Sequence, residues 1–143
     1  MNADLCIVGA GAAGLWAAGV AARQGARVLL LEKTARTGTK VLASGGTRCN
    51  LTTSLSAEAT AAAFRPRGQR FLRHALRLLP PAAVRARFAA LGVETVTAPL
   101  DKVFPRSGKA RDVRDALERE ARDGRGVGDR HRARRVVLDH QVL

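Results

Sequence analysis

Three glycines, an acid and two later cations are spaced as a grip for a diphosphate. Gly9-Ala10-Gly11-Ala12-Ala13-Gly14 follows the apolar run Leu5-Cys6-Ile7-Val8. In such a turn Gly9 permits a tight exit from a strand, Gly11 lets bare backbone approach a pyrophosphate, and Gly14 lets a helix pack closely on the strand. The phosphates would rest on unpaired amides at the helix N-terminus, where the macrodipole favours negative charge. Glu32 closes a second apolar run, Val28 to Leu31, and is placed to accept hydrogen bonds from a ribose diol. A 2′-phosphate there would meet like charge, so Glu32 argues for a free 2′-hydroxyl.

These residues need a strand, a turn, a helix and a second strand to hold them, and the intervening sequence supplies the pattern. A helical period runs from the turn to Gln24, small Ala18 lies one turn after Gly14 on the face that must approach the sheet, and Gly25 ends the helix. A glycine triad alone is a weak signal; the order strand, glycine turn, helix, strand, acid is a stronger one. The fold class it predicts is α/β, a Rossmann-like dinucleotide-binding βαβ domain with helical additions. The plain alternative is a buried strand-turn-helix unit without a ligand.

From Lys33 to Thr52 the chain is rich in Gly, Ser, Thr and Lys and shows neither helical nor strand period, which predicts a long loop. Loops of this length inside compact domains usually carry function. Gly45-Gly46 can present successive amides as an anion cradle, Lys40 and Arg48 can neutralise a diphosphate, and Asn50 offers both a donor and an acceptor.

The opening turn, Gly38-Thr39-Lys40 and the run Ser44-Gly45-Gly46-Thr47-Arg48-Cys49-Asn50-Leu51-Thr52 together resemble the BaiN-type family of NAD(P)/FAD-dependent oxidoreductases, flavoproteins of the glutathione-reductase-like class. The resemblance implies that the glycine turn and the acid bind the ADP half of FAD, and that the Ser44–Asn50 loop wraps the pyrophosphate and reaches toward the flavin. Position by position it puts Gly9, Gly11, Ala12, Ala13, Gly14, Glu32, Lys33, Lys40, Gly45, Gly46, Arg48, Cys49 and Asn50 around FAD. It also implies NAD(P)H as electron donor and a small-molecule acceptor that the residues do not name. Val103-Phe104-Pro105, Ser107-Gly108-Lys109-Ala110 and Asp112-Val113 extend the resemblance, which runs to about Arg122.

Composition narrows the alternatives. The chain has 143 residues, enough for one domain with a core, and an apolar fraction supplied mostly by Ala, Val and Leu, with no Tyr. Lys and Arg number 25 against 12 Asp and Glu, a net charge of +13 that would suit an anionic partner. The chain nevertheless lacks the motifs and stacking aromatics of nucleic-acid binders, so nucleic-acid binding stays a minor reading. Two cysteines cannot build a disulfide framework or a CxxC pair. Cys6 reads as a small apolar residue of the first strand, and Cys49 has no identifiable base to activate it. With no basic leader and no apolar run of membrane length, the reading is a reduced, cytoplasmic protein without a membrane or metal site.

Further along, the spacing predicts helices over Ser56–Phe64, with Ser56 and Glu58 at its start, over Arg67–Leu79, over Ala82–Leu91 before Gly92, and over Ala110–Arg122. The Arg67–Leu79 segment is amphipathic, with Phe71, Leu72, Ala75, Leu76 and Leu79 on one side and Arg70, Arg73, His74 and Arg77 on the other. Short strands are predicted over Val93–Ala98 and from Lys102. On the last helix Asp115–Arg119 and Glu118–Arg122 form i,i+4 pairs. Ser107-Gly108-Lys109 lacks the upstream glycine of a Walker loop, which excludes an ATPase reading.

The expected organisation is an incomplete FAD-binding domain over 1–122 and an Arg-rich, divergent tail over 123–143. In that tail Arg125, Arg130, Arg132, Arg134 and Arg135 crowd what should be a buried strand, leaving Val136–Leu138 to pair weakly. Such a tail reads as a truncated or frame-shifted product, with a nucleotide-binding remnant as the alternative function. No residue presents itself as a catalytic acid or base.

Overall fold

The computed structural model describes residues 2–123 and the backbone of Val137–Asp139. Strand β1 (Leu5–Val8) leads through the glycine turn into α1 (Ala12–Arg23), and β2 (Val28–Leu31) returns beside β1. The two strands are parallel, with Leu5 opposite Val28 and Val8 opposite Leu31. Val28 and Leu30 of β2 are buried, and Ile7, opposite Leu30, lies next to Gly14 of α1. This face of the sheet carries α1, so side chains two apart meet the helix. α1 stops in a Schellman arrangement: the Gly25 amide donates to the Ala22 carbonyl at 3.0 Å and the Ala26 amide to Ala21 at 3.1 Å, with Gly25 at φ +85°.

The link from β2 to the third strand of this sheet is long. It holds α2 (Thr39–Ala43), β3 (Thr52–Thr53), α3 (Ala57–Ala62), α4 (Pro66–Leu78), α5 (Pro81–Ala90), β4 (Thr95–Ala98), β5 (Lys102–Pro105) and α6 (Ala110–Asp123). It ends in β6 (Val137–Asp139), which lies parallel to β2 with Leu30 opposite Leu138. The sheet order is therefore β1-β2-β6, and α6 is the crossover helix that packs on α1. A second sheet, β3-β5-β4, is antiparallel and sits within the crossover.

The predicted elements appear near their expected bounds, with differences that have causes. The segment 33–52 is not one loop, because α2 and β3 form inside it; β3 is held by pairing to β5, a contact that no local pattern encodes. Ser56 caps α3 by accepting the Ala59 amide at 3.1 Å. Glu118 and Arg122 pair at 2.7 Å as their spacing requires. Asp115 and Arg119 do not pair: Asp115 meets Arg114 instead, and Arg119 donates to the Leu91 carbonyl at 3.5 Å. α4 is amphipathic in sequence, yet none of its residues is buried, and Phe71 is 83% exposed. It packs on the short helix α3, too narrow a platform to cover its apolar stripe. Cys6 is exposed on the sheet face away from α1. The tail expected to be irregular lies outside the described residues over 124–136 and 140–143.

The core gathers where α1, β2 and α6 meet, in Leu15, Ala18, Val28, Leu30, Val113 and Leu117. Beside it lies a buried ion cluster. Glu120 of α6, its side chain 3% exposed, faces both Arg23 at the end of α1 and Arg87 of α5. Gly19 makes room for it: a Cβ there would stand 2.8 Å from Glu120 Cγ. Among the described residues no helix is long and apolar enough to cross a membrane.

Candidate nucleotide cleft

The glycine turn has the geometry its sequence requires. Gly9 lies at φ +96°, a region that glycine alone enters without strain, and its amide donates to the Leu31 carbonyl at 2.7 Å, tying the strand exit to β2. A Cβ on Gly14 would stand 1.9 Å from the Gly9 carbonyl oxygen, so this glycine serves packing. Gly11 differs. It is the N-cap of α1 in an extended conformation, and a Cβ on it would meet nothing within 4 Å, because it opens on a cleft.

That cleft has a volume of about 820 Å³, within the usual range for a small-molecule site. Gly11, Ala12 and Ala13 form one side of it, and Glu32 and Lys33 continue the wall from the tip of β2. Lys40 of α2, with Ser44, Cys49 and Asn50, lines it as well. The amino-terminal turn and the Ser44–Asn50 loop, far apart in the chain, thus border one space. Gly9 and Gly14, at the two ends of the turn, do not line the cleft, and neither do Gly45, Gly46 and Arg48.

Glu32 is fixed at the mouth. One carboxylate oxygen accepts the Ala10 amide at 2.8 Å; the other accepts the amide and the hydroxyl of Thr34, both at 2.9 Å. The Thr34 amide above all, with the Ala10 amide acting against partial burial, holds the Glu32 carboxyl below the ordinary glutamate range. An ionised carboxylate only accepts, so a neighbouring hydroxyl must donate to it.

The Ser44–Asn50 loop is wound into an unusual shape. Gly45, Gly46, Thr47 and Cys49 all have positive φ, at +56°, +64°, +68° and +60°. For Thr47, which is β-branched, this is a strained conformation that the surroundings must hold. They do so through three hydrogen bonds from two elements: the Thr47 carbonyl accepts the Ala110 amide at the start of α6 (2.9 Å), and on β5 Asn50 Oδ1 accepts the Val103 amide (3.2 Å) while the Leu51 amide donates to the Val103 carbonyl (2.8 Å). Arg48 lies over the Phe104 ring, 4.7 Å from its centroid, a cation–π contact that turns it away from the cleft. Cys49 is buried, and burial pushes its thiol up, with the Ser44 hydroxyl acting in the opposite sense. A thiol in that setting is a poor nucleophile.

Sequence reasoning missed the apolar end of the cleft. Trp16 projects from α1 and meets Phe88 of α5, ring centroids 6.0 Å apart and planes tilted by 48°, while Leu51, Leu79 and Val84 complete the wall. Trp16 sits one turn beyond Ala12–Ala13 on the same face, and that spacing is a signal that could have been used. Leu79 and Val84 come from the α4–α5 junction, which nothing local connects to the turn. Ser107-Gly108-Lys109 forms the turn before α6 and takes no part in the cleft. Among the described residues no cluster of His, Cys, Asp and Glu could hold a metal ion.

The profile of the HI0933-like protein Rossmann domain matches residues 3–140, past Arg122 where the motif resemblance ends. Ribosomal RNA dihydrouridine synthase of Escherichia coli (strain K12) is 49% identical over 49 residues, covering 34% of this chain and 12% of that protein. The 3-dehydro-bile acid delta(4,6)-reductase of Clostridium scindens is 36% identical over 118 residues, 81% of this chain and 28% of that protein. The crystal structure of Thermovibrio ammonificans THI4 superposes with a TM-score of 0.54 at 17% identity, covering 95% of this chain and 38% of that one, a likeness of fold. The chain therefore spans well under half the length of each. With a parallel βαβ sheet, a glycine turn of the required shape and a family match over nearly its whole length, the chain belongs to the HI0933-like family, the BaiN-type flavoproteins its motifs resemble, and supplies that family's Rossmann domain.

Proposed function

We propose that this chain is the FAD-binding portion of a flavin-dependent oxidoreductase of the cytoplasm that takes hydride from NAD(P)H and passes it to a small-molecule acceptor. The observation that carries the reading is the shared cleft: the glycine turn, Glu32 and the Ser44–Asn50 loop border the same space. Its chemistry suits a dinucleotide. Gly11 leaves open the room that a Cβ would occupy and a diphosphate needs, and the N-terminus of α1 faces it. Glu32 would accept from the adenosine ribose, Lys33 and Lys40 would neutralise phosphate, and Asn50 would face the flavin end. Cys49 would support the loop rather than react. Gly45, Gly46 and Arg48 would act from behind, holding the loop's shape.

Bound flavin would supply hydride transfer; the chain's own residues bind the cofactor, orient it and exclude water along the Trp16–Phe88 wall. Two named relatives, a dihydrouridine synthase and a bile acid reductase, support an oxidoreductase reading for the whole protein. The test is reconstitution: the purified chain is mixed with FAD, freed of excess ligand and examined for flavin absorbance, with Trp16 fluorescence followed in parallel. Trp16 is the one Trp of the chain. Co-eluting flavin bands and quenched Trp16 emission are the expected result. A colourless protein at saturating FAD would overturn the reading. Bleaching of bound flavin by NADPH or NADH, in the whole protein, tests the donor.

A further inference from the structure

Thr37 is 2% exposed, buried as deeply as the core, although it lies in the connection that carries Lys40. Its hydroxyl donates to Glu118 Oε2 at 2.7 Å, across 81 residues of chain. Glu118 is fixed in turn by Arg122, whose Nε and Nη2 donate to Oε1 at 2.9 and 2.7 Å, and Arg114 approaches to 3.9 Å. The next residue is clamped too. The Gly38 amide donates to the Ala10 carbonyl at 2.8 Å, and a Cβ on Gly38, at φ +64°, would stand 2.6 Å from Arg114 Cγ. Residues 37 and 38 are thus wedged between the glycine turn and α6. Gly38 is the N-cap of α2, and Lys40 is the second residue of that helix.

A helix of five residues has little rigidity of its own, so its place is set by what holds its start. Ala10 makes the connection explicit: its carbonyl takes the Gly38 amide while its own amide binds Glu32. The ribose-facing acid, the glycine turn and the Lys40 helix therefore share one chain of hydrogen bonds, and the Thr37–Glu118 bond anchors its outer end to α6.

We infer that Thr37 is a positioning residue whose hydroxyl bond to Glu118 sets Lys40 against the Gly11–Ala13 turn and so governs how strongly the cleft prefers a diphosphate to a bare nucleoside. The inference rests on the FAD reading of the cleft. It makes Thr37 and Glu118 determinants of binding although neither lines the cleft. Because Lys40 meets phosphate and not the adenosine, the loss must appear in one ligand and not in the other. A general loosening of the fold would affect both.

The experiment measures ADP and adenosine binding to the whole chain through Trp16 fluorescence. Wild type is expected to bind ADP more tightly. Thr37→Val should weaken ADP about tenfold, in line with losing a buried hydrogen bond to a charged group, and leave adenosine within about twofold. Thr37→Ser, which keeps the hydroxyl, should restore ADP binding. Lys40→Met should reproduce the ADP loss, and adding Thr37→Val to it should cost little more, since both remove the same contact. Glu118→Asp withdraws the acceptor without altering the loop and carries the same expectation should Thr37→Val not fold. Equal loss of ADP and adenosine, full additivity with Lys40→Met, or unchanged ADP binding would each overturn the inference. In those three cases FAD binding by the wild type leaves the flavin reading standing; a wild type that binds neither FAD nor ADP overturns both.

Discussion

The carbonyl oxygen of Gly9 occupies the place where a side chain on residue 14 would begin, 1.9 Å from an ideal Cβ on Gly14. Strand exit and helix start touch backbone to backbone there. Gly14→Ala must push α1 away from β1, so it should destabilise the fold by about 1–3 kcal/mol or more, as overpacking does. Urea denaturation measures the loss.

Gly11→Ala is the contrasting case. Its Cβ meets nothing, and its backbone is extended at φ −77°, so the fold should keep its stability within about 0.5 kcal/mol. FAD binding should fall at least tenfold, read by flavin absorbance of the desalted protein. A variant that binds FAD normally would remove the diphosphate from that space.

Removing Glu120 should be costly. Its side chain is 3% exposed and serves both Arg23 and Arg87, so Glu120→Ala leaves two guanidinium groups partly buried without their shared anion. Losing one partner of a buried ion pair typically costs about 3–5 kcal/mol. The midpoint of thermal unfolding should fall sharply, and Trp16 emission should shift as Phe88, next to Arg87, moves.

Stability should fall on acidification. Glu32 and Glu118 are both held below the ordinary glutamate range in the fold. Thr34 and Ala10 do this for Glu32; for Glu118, burial acts in the opposite sense and is outweighed by Thr37, Arg122 and Arg114. A group lowered on folding stabilises above its unfolded value, and that contribution is lost as pH drops through the folded one. Thermal midpoints measured downward from pH 6 should decline below the ordinary glutamate range, and Glu118→Gln should flatten that decline.

The exposed edge of α4 makes a different prediction. Phe71 and Leu78 are 83% and 71% exposed, so replacing both with Ser should leave the thermal midpoint unchanged and raise solubility. A lowered midpoint would mean that this stripe is covered in solution.

Where a feature depends on neighbours in the chain, the residues alone determined it. Gly9 and Gly25 had to adopt positive φ, Ser56 had to cap α3, Glu118 had to find Arg122 one turn away, and the order strand, glycine turn, helix, strand, acid had to make a βαβ unit. Each follows from sterics and hydrogen bonding over a few residues, which leave a spacing that can be read. Tertiary structure alone decided that the Ser44–Asn50 loop and the glycine turn border one cleft, that Arg48 lies over Phe104 instead of facing that cleft, and that Trp16 meets Phe88. It also decided that Thr37 is anchored by Glu118 and that Glu120 gathers two arginines from other helices. The partners in those contacts lie dozens of residues apart. Their pairing is fixed by how the crossover packs on α1 and the sheet, a balance of burial and charge over the whole core that leaves no period in the chain.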